Sequence, residues 1–342
     1  MRRASIGAGL LAVLAAAFWA IRPSSRSAEA AYVGEANATV WSRLAQVREP
    51  VAVIRYGDRV EILERRKGQA LVRTARAEQG WLDDRSLIGP DLWRRASDIL
   101  KNSRAMSVQA RGRTRVPTNV RAEAGRAAPR VFQYGRDVNV EVLSRAVAPW
   151  TPPALEHAPD VREAAAPAPT TAESEAAAQE PSKPREDDWY LVRASVPEAG
   201  SVAGWVLARF LEMDYPPPLR DLGAGIRFQA WFELNRVLSV DGEKSQYLGA
   251  GVIGAEGQPC DFTLFRVYTW NLARNRYETA YVESNLCGRL PVQVTPAAPP
   301  GSGPAAAEAS FRFNAKGKHG AELREYTFRQ NIVHRAPPGK RR

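Results

Sequence analysis

Short runs of alternating apolar and polar residues recur along most of the chain, whereas the spacing of an amphipathic helix occurs once. The segments Val51-Ala52-Val53-Ile54, Arg59-Val60-Glu61-Ile62-Leu63 and Ala70-Leu71-Val72-Arg73 are brief and rich in β-branched residues. Turn signals at Gly57-Asp58 and Lys67-Gly68 separate them, so residues 31–90 read as a small domain of short strands. Behind Pro90 and a capping Asp91, residues Leu92, Ala96, Ile99 and Leu100 fall on one helical face, which predicts one connecting helix over 91–104. Strand patterns return at 118–121, 130–132 and 137–143, break near Trp150, and resume at Trp189-Tyr190-Leu191-Val192. From 226 to 335 the alternation predicts strands at 227–234, 246–253, 262–270, 276–283, 290–294, 310–313 and 324–333, with 262–270 and 276–283 forming a hairpin.

The stretch 151–187 differs in kind. It consists mainly of Ala, Pro, Glu, Ser and Thr, has no aromatic residue, and carries eight acidic against three basic groups. Such a segment buries too little apolar surface to offset the entropy of ordering it, and is expected to be a disordered insertion.

Two strand regions repeat one order of signals. In the first, Gly57-Asp58-Arg59-Val60-Glu61-Ile62-Leu63 precedes Ala70-Leu71-Val72-Arg73 and then Gly80-Trp81-Leu82. In the second, Gly135-Arg136-Asp137-Val138-Asn139-Val140-Glu141-Val142-Leu143 precedes Trp189-Tyr190-Leu191-Val192-Arg193 and then Gly204-Trp205-Val206. The second also opens with Asn119-Val120-Arg121, where the first has Ala38-Thr39-Val40-Trp41 and lacks the Trp-Tyr pair. This order resembles the bacterial SH3 domain, with its "NVR" opening, "WYxV" strand and "GWV" segment. The resemblance implies two small SH3-like barrels, at 31–90 and at 105–215, the latter interrupted by the insertion at 151–187. It leaves 226–335 as an antiparallel β domain without a family and 336–342 as a basic tail. The fold class expected is therefore all-β with one connecting helix, and each GW is expected to place its glycine in a tight turn.

Arg2 and Arg3 precede an unbroken apolar run over residues 6–21, followed by Ala28-Glu29-Ala30. A basic start, a short apolar core and a small-x-small site form an export signal over residues 1–30, cleaved before Ala31 or retained as an anchor. Periplasmic or extracellular location follows, with an oxidising surrounding in which Cys260 and Cys287, the only cysteines, can form a disulfide.

The formal charge is +11, and the last 28 residues hold eight Lys or Arg against two Glu. A cationic exported protein suits an anionic wall polymer, or an anionic membrane surface reached through the basic C-terminus. Export argues against nucleic acid. Two cysteines and three histidines are too few and too scattered for a zinc site, and no cofactor is implied. Gly249-Ala250-Gly251-Val252-Ile253-Gly254 matches G-x-G-x-x-G, yet the next residues, Ala255-Glu256-Gly257-Gln258-Pro259, read as a turn rather than the helix such a phosphate site requires. Asp187-Asp188 and Asp83-Asp84 read as solvated turns.

Exported proteins with bacterial SH3 domains include wall hydrolases that pair Cys with His, but neither cysteine here precedes a helix that could activate a thiolate. The reading is a non-catalytic binding or scaffold protein of the cell envelope, recognising peptidoglycan-type wall polymer or an envelope protein. Arg121, Trp189, Tyr190 and Arg193 are the expected ligand-binding residues, an aromatic surface flanked by cations. The alternative is an enzyme, or an accessory subunit, with Arg227, Trp231, Tyr268, Arg276 and Tyr281 lining a pocket in the C-terminal β domain.

Overall fold

The computed structural model describes residues 29–150, 185–298 and 308–337. All but the last two residues of the expected leader, nearly all of the insertion and the last five residues of the basic tail lie outside the described residues. The chain divides into two compact units, one ending at Pro90 and one beginning at Asp91.

The first unit holds β1 (Glu29–Val33), β2 (Asn37–Trp41), β3 (Pro50–Arg55), β4 (Arg59–Arg66), β5 (Gln69–Arg73), β6 (Gln79–Asp83) and β7 (Leu87–Ile88). They form one sheet in the order β3-β2-β6-β5-β4-β1-β7. Alternate residues Val33, Val40, Val60, Ile62, Val72 and Leu82 turn inward to a common core, as the period of two along a strand requires. Strand β1 begins at Glu29, two residues ahead of the expected domain start.

The second unit opens with α1 (Pro90–Ser103), matching the expected helix to within one residue at each end. Next come β8 (Ala110–Thr114), β9 (Thr118–Arg121), β10 (Arg130–Tyr134), β11 (Asn139–Pro149), β12 (Glu186–Val196), β13 (Gly200–Leu207) and β14 (Leu211–Met213). Their order, β10-β9-β13-β12-β11-β8-β14, reproduces that of the first sheet strand for strand. The likeness extends to a defect. In the first sheet the register slips between Ile62 and Glu64, leaving Leu63 as a bulge; in the second it slips between Val142 and Ser144, leaving Leu143. A bulge bends a strand sharply, and both repeats bend at the same step. Each also has a short 3-10 turn before its last strand, at Asp84–Ser86 and Ala208–Phe210.

The glycines of the two GW pairs do not sit in turns. Gly80 and Gly204 lie within β6 and β13, where an added Cβ would fall 2.5 Å from the Trp41 carbonyl oxygen and 2.5 Å from Val120 Cγ1 respectively. They are glycine because a neighbouring strand passes too close for a side chain.

Strands β11 and β12 pair out to Pro149 and Glu186, so residues 151–184 are spliced into a hairpin of the second sheet. Residues 185–187, expected to be disordered, are ordered, and Glu186 and Asp187 open β12.

The rest of the second unit comprises α2 (Pro217–Leu222), β15 (Ile226–Ser239), β16 (Gly242–Ile253), β17 (Leu264–Asn271), β18 (Arg276–Glu283), β19 (Gly288–Thr295), β20 (Ala309–Gly317), β21 (Gly320–Arg329) and β22 (Ile332–Arg335). Strands β15–β18 and β19–β22 make two four-stranded antiparallel sheets. They share a core in which Phe265 packs on Phe311, Phe313 and Tyr326. The strand expected at 324–333 is two strands, because Gln330 and Asn331 both take positive φ and turn the chain back. The helix α2, too short to show a helical period, is an addition to the expected elements. It explains the G-x-G motif: Gly249 lies in β16, and a Cβ there would meet Phe228 Cε1 at 2.8 Å and Leu219 Cδ2 at 2.9 Å.

The second repeat and these two sheets interlock. Gln109, fully buried, accepts from the Trp231 amide at 2.9 Å through its carbonyl and from the Val292 amide at 2.8 Å through its side chain.

Candidate functional site

Residues directly opposite one another on paired strands share a face. In the second repeat Arg121 on β9 lies opposite Trp205 on β13, which lies opposite Leu191 on β12. One step along that face, Arg193 lies opposite Glu141. In the first repeat Trp41 lies opposite Trp81, which lies opposite Leu71, with Arg73 opposite Glu61 one step along. The outer face of each sheet thus carries the same arrangement, a half-buried tryptophan beside an Arg–Glu pair. The ion pairs close at 2.6 Å in both, Arg73 to Glu61 and Arg193 to Glu141.

The partner of the tryptophan differs. In the first repeat it is Trp41, with the Arg48 guanidinium 4.3 Å from its ring centroid. In the second it is Arg121, whose guanidinium donates to the Ala128 carbonyl. Burial lowers the pKa of Arg121 from its ordinary value, as do the like charges of Arg126 and Arg130. Arg126 and Arg185 also approach the Trp150 ring, at 6.0 and 5.6 Å. The positive charge belongs to this half of the chain: described residues from 91 onward hold 29 Lys or Arg against 22 Asp or Glu, those before it 10 against 9.

Of the four residues expected to bind ligand, the structure brings Arg121, Arg193 and Trp189 to one face, where Trp189 is covered, and turns Tyr190 to the other. Trp189 is 2% exposed and packs against Ala148, Leu207 and the flank of Trp205. Tyr190 points to the opposite face, where its hydroxyl donates to Gln229 at 2.6 Å and burial pushes its pKa up. Neither ring is open for stacking, because β12 at this point is an inner strand paired with β11 and β13 and is covered on both faces. Half-buried Trp205 is the aromatic that this face presents in their place. Arg193 is held by Glu141 and also donates to the Ser103 carbonyl at 2.6 Å, at the C-terminal end of α1. With Arg111, Asn139, Glu141, Ser201 and Asp214 it lines an open polar cleft of about 700 Å³.

Asp187 and Asp188 are fully buried rather than solvated. Asp187 accepts from Arg126 Nε at 2.8 Å and from Arg209. Asp188 accepts from Arg145 at 2.5 Å, Arg227 at 3.1 Å and the Gly257 amide at 3.0 Å. Arg145, its side chain 1% exposed, also reaches Asp261 at 3.3 Å and the carbonyls of Gln258 and Cys260 at 2.8 and 3.1 Å. Buried carboxylates persist only when paired and hydrogen-bonded in this way. The network ties β11 and β12 to the loop at 254–261, which the Cys260–Cys287 disulfide holds in turn, with a Cα separation of 5.0 Å. Both cysteines of the chain are therefore consumed in that bond and offer no thiolate. Beside the network Arg185, Arg209, Glu256 and Pro259 line a second open cleft of about 970 Å³.

Of the residues of the enzyme alternative, Trp231 and Tyr268 meet in one packed cluster around Phe228, and the other three lie apart from it in separate contacts. Arg227 pairs with Asp188, Trp231 packs edge-on to Tyr215 at 5.1 Å, and Tyr268 is fully buried. Arg276 is an exposed partner of Glu278, and Tyr281 stacks on Phe265.

No family model matches the chain, and no curated protein does. Among solved structures it aligns with NlpC2 and NlpC1 from Trichomonas vaginalis, each at 12% identity over 56% of this chain with a TM-score of 0.17. The alignments span about half of those chains, 50% and 48%. Likeness at that level bears on neither fold nor function.

Proposed function

We propose that the chain is a non-catalytic, exported binding protein of the cell envelope, that its two repeats are bacterial SH3-like barrels, and that their outer faces recognise a peptidoglycan-type wall polymer. The observation that carries this reading is the repeated face itself, Trp81 with Arg73–Glu61 and Trp205 with Arg193–Glu141, at the same register in both. A ligand built of repeating units can engage two like sites on one chain, and linked sites bind more tightly than either alone. The indole supplies a flat apolar surface for a sugar ring or peptide, while the neighbouring cations pair with carboxylates. In the second repeat Arg121, Arg126 and Arg130 strengthen the attraction for an anionic polymer. The buried network behind this face suits a rigid scaffold.

Sedimentation of the protein with purified peptidoglycan tests the reading. Trp81→Ser and Trp205→Ser each should weaken binding, and the double variant should lose about tenfold or more, as expected when linked sites fail together. Binding unchanged in a double variant that keeps its circular dichroism spectrum would remove the face from recognition.

A further inference from the structure

Strand β3 is the outermost strand of the first sheet and pairs only with β2. Tyr56 donates to the Ala36 carbonyl at 3.3 Å, so the residues bonded to β2 alternate from there through Ile54 to Ala52. The amide and carbonyl of Val53 therefore point away from β2. Val51 has no opposite on β2, because the register slips between Val40 and Trp41 and leaves it as the extra residue of a bulge. Both ends of this edge are closed. Arg55 gives its amide to the Asp58 carboxylate at 2.8 Å, and its carbonyl accepts from the Asp58 amide at 2.9 Å. Glu49 gives its amide to the Ser42 hydroxyl at 3.2 Å and its carbonyl accepts from the Ser42 amide at 3.0 Å, while Pro50 has no amide to offer. What stays open is the step from Val51 to Val53, whose side chains are 37% and 64% exposed. The fold does not demand valines there. In the equivalent strand β10 the same bulge leaves Val131, which is fully buried, and Gln133 stands in the place of Val53.

We propose that β3 pairs antiparallel with β3 of a second copy of this chain, in the register that sets Val51 of each copy opposite Val53 of the other. A two-fold axis at Ala52 then lets each open amide meet an open carbonyl, because the same two residues supply both halves of the ladder. Valine packs on valine across that step. Other registers fail. A shift by one residue sets Val53 against Ala52, whose groups already bond β2; a shift by two sets Val51 against Arg55, or Val53 against Glu49, whose backbone groups are taken. A second copy is the occupant whose closed ends match: Arg55 of each copy falls at the level of Glu49 of the other, so no bonding group is stranded. The same match brings a guanidinium and a carboxylate to each end of the ladder. Closure by the two-fold axis limits the assembly to a dimer.

Sedimentation equilibrium of the full chain tests this. The protein should pass from monomer to dimer, and no further, with a dissociation constant between about 10 µM and 1 mM, the range of a small contact. Val53→Pro removes an outward amide and should weaken the dimer about tenfold or more with thermal unfolding unaltered. Val53→Lys, at the same exposed position, should do likewise and keeps the test open should the proline variant misfold. Ala52→Cys should form an intermolecular disulfide under mild oxidation, since a non-hydrogen-bonded pair brings its Cα atoms to about 4.5 Å. Gln133→Cys, on the exposed edge of β10, should not. A wild type that stays monomeric to about 1 mM overturns the proposal. So do folded Val53 variants that dimerise like wild type, growth beyond the dimer, or cross-linking by Gln133→Cys equal to that by Ala52→Cys. The wall-polymer reading stands or falls separately, since its test variants, Trp81→Ser and Trp205→Ser, leave the β3 edge intact.

Discussion

Replacing Arg145 by Met would remove one guanidinium that four acceptors share. Asp188 would keep only Arg227 at 3.1 Å and the Gly257 amide at 3.0 Å, and Asp261 the Leu290 amide at 2.9 Å with Arg289 at 3.7 Å. Asp188 is fully buried, so water cannot replace the lost partner. Breaking a buried ion pair from one side costs about 3–5 kcal/mol. In a unit of this size each kcal/mol lowers the midpoint by about 2–4 °C, so the second unit should melt about 6–20 °C lower. Scanning calorimetry reads this directly, with the transition of the unit ending at Pro90 as an internal reference. Arg145→Lys should recover only part of the loss, because one ammonium lacks the planar fork that reaches two carboxylates and two carbonyls together. A double cycle with Asp188→Asn should show coupling above about 1 kcal/mol. A midpoint shift for Arg145→Met under about 3 °C, or additive single effects, would refute the claim that this network holds the second repeat to the C-terminal sheets.

The oxidised protein should show no free thiol under denaturing conditions without reductant, and Cys260→Ser with Cys287→Ser should lose about 3 kcal/mol from the loop-closure entropy of this span; two titratable thiols in protein secreted natively would contradict it. Burial pushes the Tyr56 phenol up to about 12. Its folded value lies above the unfolded one near 10, so its stabilising effect is whole below pH 10 and disappears as pH rises towards 12. The unfolding midpoint of the first unit should therefore fall between pH 10 and 12, and Tyr56→Phe should flatten that fall; an equal slope in the variant would exclude Tyr56 as its source.

Local periodicity made the all-β class, the connecting helix and the strand positions legible, because alternation and helical spacing are properties of neighbouring residues. The repeat was legible too in its order of strands and turn signals, whereas the pairing of Arg73 with Glu61 and of Arg193 with Glu141 came from the register of the sheets. Strands β1 and β8 were not. The first runs into the apparent leader, and the second, Ala110-Arg111-Gly112-Arg113-Thr114, alternates small with charged residues rather than apolar with polar. Which aromatic is covered in the second repeat was decided by the tertiary structure, because the residues next to Trp189 and Trp205 along the chain do not say what packs over either ring. The same holds for Asp187-Asp188. A carboxylate pair in a Pro- and Glu-rich context looks solvated, and becomes a buried anchor only because Arg126, Arg145, Arg209 and Arg227 arrive from elsewhere in the chain. Pattern along a chain reports which face of an element is apolar. Whether a charged group is wet or buried depends on which distant strands close over it, and that is settled only when the sheets pack.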